Sequence, residues 1–166
     1  HTARDGKKEI DMEEIQKAFV KVGIGTEKKS RIISEKEKLI TAYHESGHAI
    51  LFEVLEKCDP VHSVSIIPTG MAGGYTMPLP ENDNVFNTKS NMIQDIKVGM
   101  GGRIAEELIF NDVTTGASQD IKSVTATARA MITQYGMSEN LGFINYEENS
   151  DEVFLGRDLG HSRSFS

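Results

Sequence analysis

Hydrophobic and polar positions divide the chain into four helical stretches and one short β-rich one. Ile15, Ala18, Phe19 and Val22 recur at the spacing of an amphipathic helix. That helix starts at Asp11 as cap, with Glu14 at its third position and Ile10 and Ile15 able to staple its first turn, and it ends at Gly23. Gly23 to Ser30 is glycine-rich and then charged, the composition of a connector, which predicts a module boundary there. Ser34-Glu35-Lys36-Glu37 is a capping-box sequence. It opens a proline-free helical stretch through Leu39, Tyr43, Ala49, Ile50, Val54 and Leu55 to Lys57.

Asp59-Pro60 breaks that pattern. Val61 to Ile67 is β-branched enough for a strand stopped by Pro68, Gly70 to Gly74 reads as a flexible turn, and Tyr75 to Pro78 as the returning strand. Pro78 and Pro80 confine this hairpin to a sheet edge. A second long helix is predicted from Thr88 to Phe110, although Gly99, Gly101 and Gly102 in its middle each cost about 1 kcal/mol relative to alanine. Close backbone packing would explain them. Ser118 is the expected cap of a third long helix through Ile121, Val124, Ala128, Met131 and Ile132 to Gly136. Gly160 to Ser166 carries no core signal. The expected fold is mainly α, of the α+β class, with a small β-hairpin.

Composition narrows the class. The 166 residues are 38% hydrophobic and 26% charged, as in one soluble globular domain, and no apolar run approaches the roughly 20 residues of a bilayer-spanning helix. A chain of this size buries enough core to fold without disulfides or a structural metal, so a metal would serve chemistry. Cys58 is the only cysteine, which fits a reducing compartment. Residues 1–40 hold 10 Lys/Arg against 8 Asp/Glu, while residues 41–166 hold 8 against 17, a balance of −9. A negative body without a basic, aromatic-laced patch argues against nucleic acid as a ligand and suits a cation.

The candidate chemistry lies in the first long helix. His44-Glu45-Ser46-Gly47-His48 matches H-E-x-x-H, in which two imidazoles four residues apart share one helix face and can reach one zinc ion. A catalytic zinc takes three protein ligands plus water; Glu45 is the expected general base, accepting the proton of the attacking water. A third ligand is needed. His62 reads as a solvent-facing strand residue, and Glu106-Glu107 as a solvated helix face that could still complete a two-His-one-Glu set. Asp120 falls in the first turn of the third long helix, where the helix dipole favours an ionised carboxylate. On these grounds Asp120 and Glu107 rank equally.

These motifs together resemble the FtsH family of membrane-anchored, ATP-dependent AAA+ zinc metalloproteases. The likeness runs through Asp11 to Ser30, Ala42 to Ala49, Asp59-Pro60-Val61-His62, Ile66-Ile67-Pro68, Gly101 to Glu107, Thr115 to Asp120 and Phe154-Leu155-Gly156-Arg157, in the family's order. The resemblance implies Asp120 as third ligand, with Glu106 and Glu107 second choices, and one Zn2+ per chain. It implies that Gly73, Gly74, Tyr75 and Thr76 belong to an edge strand that holds an extended polypeptide by backbone pairing. It divides the chain into the tail of an ATPase small helical subdomain (1–25), a linker (26–33) and a zinc metalloprotease domain (34–166) cut short at its C-terminus.

No G-x-x-x-x-G-K-[ST] loop occurs, so ATP is expected to bind only in the full-length protein. By the same resemblance the full-length protein is a membrane-anchored homo-hexamer. This domain would lie on the cytoplasmic, matrix or stromal side and cleave unfolded or membrane-extracted polypeptides. Two other classes fit the residues less fully: a non-catalytic hexamer-assembly module and a metal-dependent hydrolase of a non-peptide substrate.

Overall fold

The computed structural model describes residues 12–24, 33–69, 73–80 and 86–146. The Asp11 cap, the connector, the hairpin turn at 70–72, the Phe154-Leu155-Gly156-Arg157 motif and the final segment lie outside them. The described chain forms helix α1 (Met12–Ile24), helix α2 (Glu35–Val54), strands β1 (Val61–Ser65) and β2 (Tyr75–Pro78), helix α3 (Lys89–Phe110), a 3-10 turn (Thr115–Ala117) and helix α4 (Ser118–Thr133). The mainly helical α+β expectation holds.

The local signals explain most boundaries. In α2 the capping box forms in full: Glu37 N–H donates to Ser34 Oγ at 3.2 Å and Ser34 N–H to Glu37 Oε2 at 3.0 Å. Helix α2 ends at Val54, three residues before Lys57, with extended backbone at Leu55. Thr88 caps α3, accepting from Asn91 N–H at 3.2 Å, and Asn111 ends it in the left-handed region at φ 50°. Ser118 is not a cap: it is the first residue of α4, which continues directly from the 3-10 turn. Thr114 performs the capping one step earlier, its Oγ1 accepting from Gly116 N–H at 3.1 Å. Helix α4 stops at Thr133, and Gly136 takes φ +58° in the turn beyond.

The sheet is one antiparallel pair. Ser63, Val64 and Ser65 face Met77, Thr76 and Tyr75, and Val61 faces Pro78 across an irregularity at His62. Strand β1 ends at Ser65 rather than Ile67, where Ile67 N–H turns back to Ser65 Oγ at 3.1 Å.

Packing centres on α2, which lies against α3 on one side and the hairpin on another, while α4 packs on α3. Glycines set the approach. A Cβ at Gly47 would lie 2.3 Å from Gly101 O, and one at Gly101 would lie 2.7 Å from Gly47 O, so α2 and α3 cross backbone against backbone. A Cβ at Gly99 would meet Val124 Cγ1 of α4 at 2.4 Å, and one at Gly102 would meet His44 Nε2 at 2.4 Å. Tyr43 and Phe110 pack edge to face across the same helix pair, ring centroids 5.6 Å apart. By contrast the apolar face of α1 is open, with Phe19 48% and Val22 87% exposed.

Gly47→Ala or Gly101→Ala should therefore destabilise the domain by about 1–3 kcal/mol or more. Gly73→Ala, whose methyl would lie 3.8 Å from Thr41 Oγ1, should stay within about 0.5 kcal/mol of the parent. Urea denaturation of the three variants measures the difference.

Candidate metal centre

Helix α2 buries His44, Glu45 and His48. Spacing of four puts the two imidazoles one above the other, with ring centroids 4.8 Å apart. Ser46 is exposed and bonds back to Ala42 O at 2.6 Å, and Gly47 forms the helix crossing. The two residues between the histidine and glutamate pair and His48 thus serve the helix rather than the site.

Each imidazole is held from behind by α3. His48 Nδ1 lies 2.8 Å from the Val98 carbonyl, which can only accept, so Nδ1 carries the hydrogen and Nε2 of the neutral ring presents its lone pair. His44 Nδ1 lies 2.7 Å from Glu106 Oε1, which fixes the same tautomer when that carboxylate is ionised. Both Nε2 atoms consequently point to one spot. They lie 3.1 Å apart.

Asp120 meets them there. Its Oδ2 is 3.1 Å from His44 Nε2 and 3.7 Å from His48 Nε2, and its place in the first turn of α4 favours the carboxylate form. Burial alone would raise its pKa, but the bonds to His44 and His48 hold it well below the usual carboxylate range. Burial alone would likewise lower the pKa of His44. Its hydrogen bonds with Asp120 and Glu106 outweigh that and hold it above the ordinary imidazole value.

Glu106 ties these elements together. It is 1% exposed, and while Oε1 holds His44, Oε2 accepts from the Thr114 backbone N–H at 2.7 Å, anchoring the loop that leads into α4. Burial would raise its pKa, but the Thr114 and His44 bonds lower it overall. The solvated-face reading is therefore wrong for Glu106 and right for Glu107, which is exposed and away from the imidazoles. Gly102 lies against His44, and Glu106 follows it by four residues, on the same face of α3.

Glu45 faces the hairpin. Thr76 Oγ1 donates to Glu45 Oε2 at 2.8 Å and lies 3.0 Å from the Glu45 carbonyl, and a Cβ at Gly74 would come within 3.1 Å of Glu45 Oε1. Burial pushes the Glu45 pKa up, against the Thr76 bond and the two histidines. Gly73 and Tyr75 flank this contact, and His62 sits at the sheet irregularity rather than in the cluster.

The donor atoms of His44, His48 and Asp120 all lie within 4.8 Å of one another. A tetrahedral ion with bonds of about 2.0–2.1 Å keeps its ligand atoms roughly 3.3 Å apart, so the observed spacings suit a zinc-sized ion. Two neutral imidazoles and one carboxylate are a zinc-type donor set.

The model of peptidase family M41 matches residues 31–166. Curated relatives include the ATP-dependent zinc metalloprotease FtsH of Veillonella parvula, 53% identical over 99% of this chain and 26% of the relative. The protein of the same name from Caldicellulosiruptor bescii is 53% identical over 99% of this chain and 27% of the relative. An ATP-dependent zinc metalloprotease FtsH 1 of Thermoanaerobacter sp. is 52% identical over the same shares. The chain spans about a quarter of the length of these relatives.

Glu106→Ala leaves the buried His44 Nδ1 and the Thr114 N–H without their shared acceptor and should cost about 1–3 kcal/mol. Glu107→Ala should change stability by no more than about 0.5 kcal/mol. Thermal denaturation of the pair checks which of the adjacent glutamates the fold depends on.

Proposed function

The chain belongs to peptidase family M41, and from that premise we propose that it is the peptidase domain of an ATP-dependent zinc metalloprotease, hydrolysing peptide bonds in polypeptide substrates. The observation that carries this reading is the convergence of His44 Nε2, His48 Nε2 and Asp120 Oδ2 beside the buried carboxyl of Glu45. His44, His48 and Asp120 would hold one Zn2+. When bound, zinc supplies Lewis acidity, polarising a carbonyl and lowering the pKa of water.

The protein's own groups do the rest. Val98 O and Glu106 keep both imidazoles in the tautomer a cation requires. Glu45 takes the proton of the water that attacks the scissile carbonyl and returns it to the leaving amine nitrogen. Its burial, which favours the protonated acid, suits a group that must give that proton back. Strand β2 belongs to a sheet two strands wide among the described residues, so Tyr75 and Thr76, with Gly73 and Gly74 leading into them from outside the strand, would offer backbone groups to an added extended chain. Pairing of that kind reads main chain rather than side chains, which fits varied polypeptides.

The wider reading follows the family resemblance. An ATPase module upstream delivers unfolded or membrane-extracted polypeptides to this domain within a membrane-anchored homo-hexamer. Residues 1–25 close that module, 26–33 link it and 34–166 form the peptidase unit. The open apolar face of α1 supports its reading as part of a neighbouring unit. No described helix is long and apolar enough to cross a membrane.

In the full-length protein, Glu45→Gln should retain one zinc per chain and abolish casein cleavage, a loss of about 100-fold or more; retained cleavage would overturn the role of Glu45. Asp120→Ala should weaken or strip zinc, measured by metal analysis.

Metal uptake should also depend on pH. His44 is protonated more readily in the folded chain, so in the metal-free domain it contributes stability below the ordinary imidazole pKa and loses it as pH rises through the raised value. Asp120, held low, contributes above the ordinary carboxylate pKa and loses that as pH falls. Zinc must displace the His44 proton. Affinity should therefore fall from about pH 8 to about pH 6, with more protons released at the lower pH. Calorimetry in buffers of differing ionisation enthalpy measures both.

A further inference from the structure

The hairpin meets the chemical centre at one hydroxyl. Thr76 Oγ1 lies 2.8 Å from Glu45 Oε2 and 3.0 Å from the main-chain carbonyl of the same residue. Two acceptors compete for a single hydroxyl proton, and the hydroxyl oxygen can also accept. Two residues earlier, just before β2, Gly74 is buried against Thr41, Ser65 O and Glu45 Oε1. The hairpin thus lies along the carboxyl group, with the Gly74 backbone close to Oε1 and the Thr76 hydroxyl on Oε2.

We infer that Thr76 is a positioning residue for Glu45, its hydroxyl fixing the orientation of the carboxyl group. This rests on the reading of Glu45 as the general base. While Glu45 is ionised, the Thr76 hydroxyl donates to Oε2. The Glu45 carbonyl, 3.0 Å from the same hydroxyl, fixes Oγ1 from a second side. Proton transfer depends steeply on the separation and angle of the groups involved, and a misplacement of about 1 Å can cost roughly 100-fold in rate. A side chain without the hydroxyl leaves the carboxyl group free to rotate about its own bonds, while the ligands on α2 and α4 stay where they are.

The geometry separates this role from support of the fold. β2 is joined to β1 by its own backbone pairing, and Leu79 N–H donates to Pro60 O at 3.0 Å just beyond it, so the hairpin does not depend on the Thr76 side chain for its register. Valine has the same shape as threonine and suits a strand. Serine keeps the hydroxyl and drops only a methyl group.

The test compares Thr76→Val, Thr76→Ser and Glu45→Gln in the full-length protein, each assayed for ATP-dependent casein cleavage, zinc content and thermal midpoint. Thr76→Val should lower kcat roughly 10- to 100-fold with KM, zinc content and thermal midpoint close to the parent. Thr76→Ser should restore kcat to within about threefold. Unchanged kcat in Thr76→Val, or an equal loss in Thr76→Ser, overturns the inference while leaving Glu45 as base if Glu45→Gln is inactive. A loss in Thr76→Val confined to KM, zinc content or thermal midpoint overturns it in favour of a structural role. Full activity in Glu45→Gln overturns the inference and the reading beneath it together.

Discussion

The crossing of α2 and α3 at Gly47 and Gly101 is the constraint on which the rest of the site depends. Side chains of ordinary size would hold two packed helices farther apart. Here the carbonyl of each glycine occupies the space where the other's Cβ would lie. That approach brings the Val98 carbonyl to 2.8 Å from His48 and the Glu106 carboxylate to 2.7 Å from His44. Gly102 extends the same logic by one residue, since the His44 ring occupies the space a side chain there would fill. The three helical glycines of α3 weaken that helix locally and are offset by contacts available only at this distance.

What the crossing encloses is polar. Glu45, Glu106, His44 and His48 are all buried, with Asp120 half-buried beside them. Three carboxylates around two neutral imidazoles would leave about three negative charges in a region of low dielectric, which is unfavourable without compensation. Burial lowers the His44 pKa, but its hydrogen bonds with Asp120 and Glu106 outweigh this and raise it, a shift in the direction that offsets part of this charge. A divalent cation would compensate better, and with both imidazoles neutral. The same charges that raise the His44 pKa therefore suit the cluster to receive a cation. Burial of Glu45 works in the same direction, because a carboxyl removed from water is a stronger base.

Much of this was legible in the sequence because it is local. The capping box at Ser34, the Thr88 to Phe110 helix and the Tyr75 to Pro78 strand depend on neighbours a few residues away, and they form where periodicity and capping chemistry place them. The crowded glycines of α3 also signalled close packing. The misreadings are tertiary or turn on one-residue choices. Thr114 rather than Ser118 does the capping, because a 3-10 turn intervenes and its first free N–H lies at Gly116. Glu106 and Glu107 are indistinguishable as a pair. Only the rotation of α3, set by its glycines against α2, decides that one is sealed behind His44 and the other left in solvent.

Helix α2 then divides the labour between its two sides. Toward α3 and α4 it presents the imidazoles, whose orientation is enforced by Val98 O, Glu106 and Asp120. Toward the hairpin it presents Glu45, whose carboxyl is touched by Thr76 and overlain by Gly74. The set that can hold a cation and the group that can move a proton are adjacent in sequence, yet different elements support them. A disturbance of α3 or α4 reaches the donor atoms first; a disturbance of β2 reaches the carboxyl first. The Glu45 carboxyl is thereby referred to one short stretch of the hairpin, while the set that can hold a cation is referred to the helix crossing.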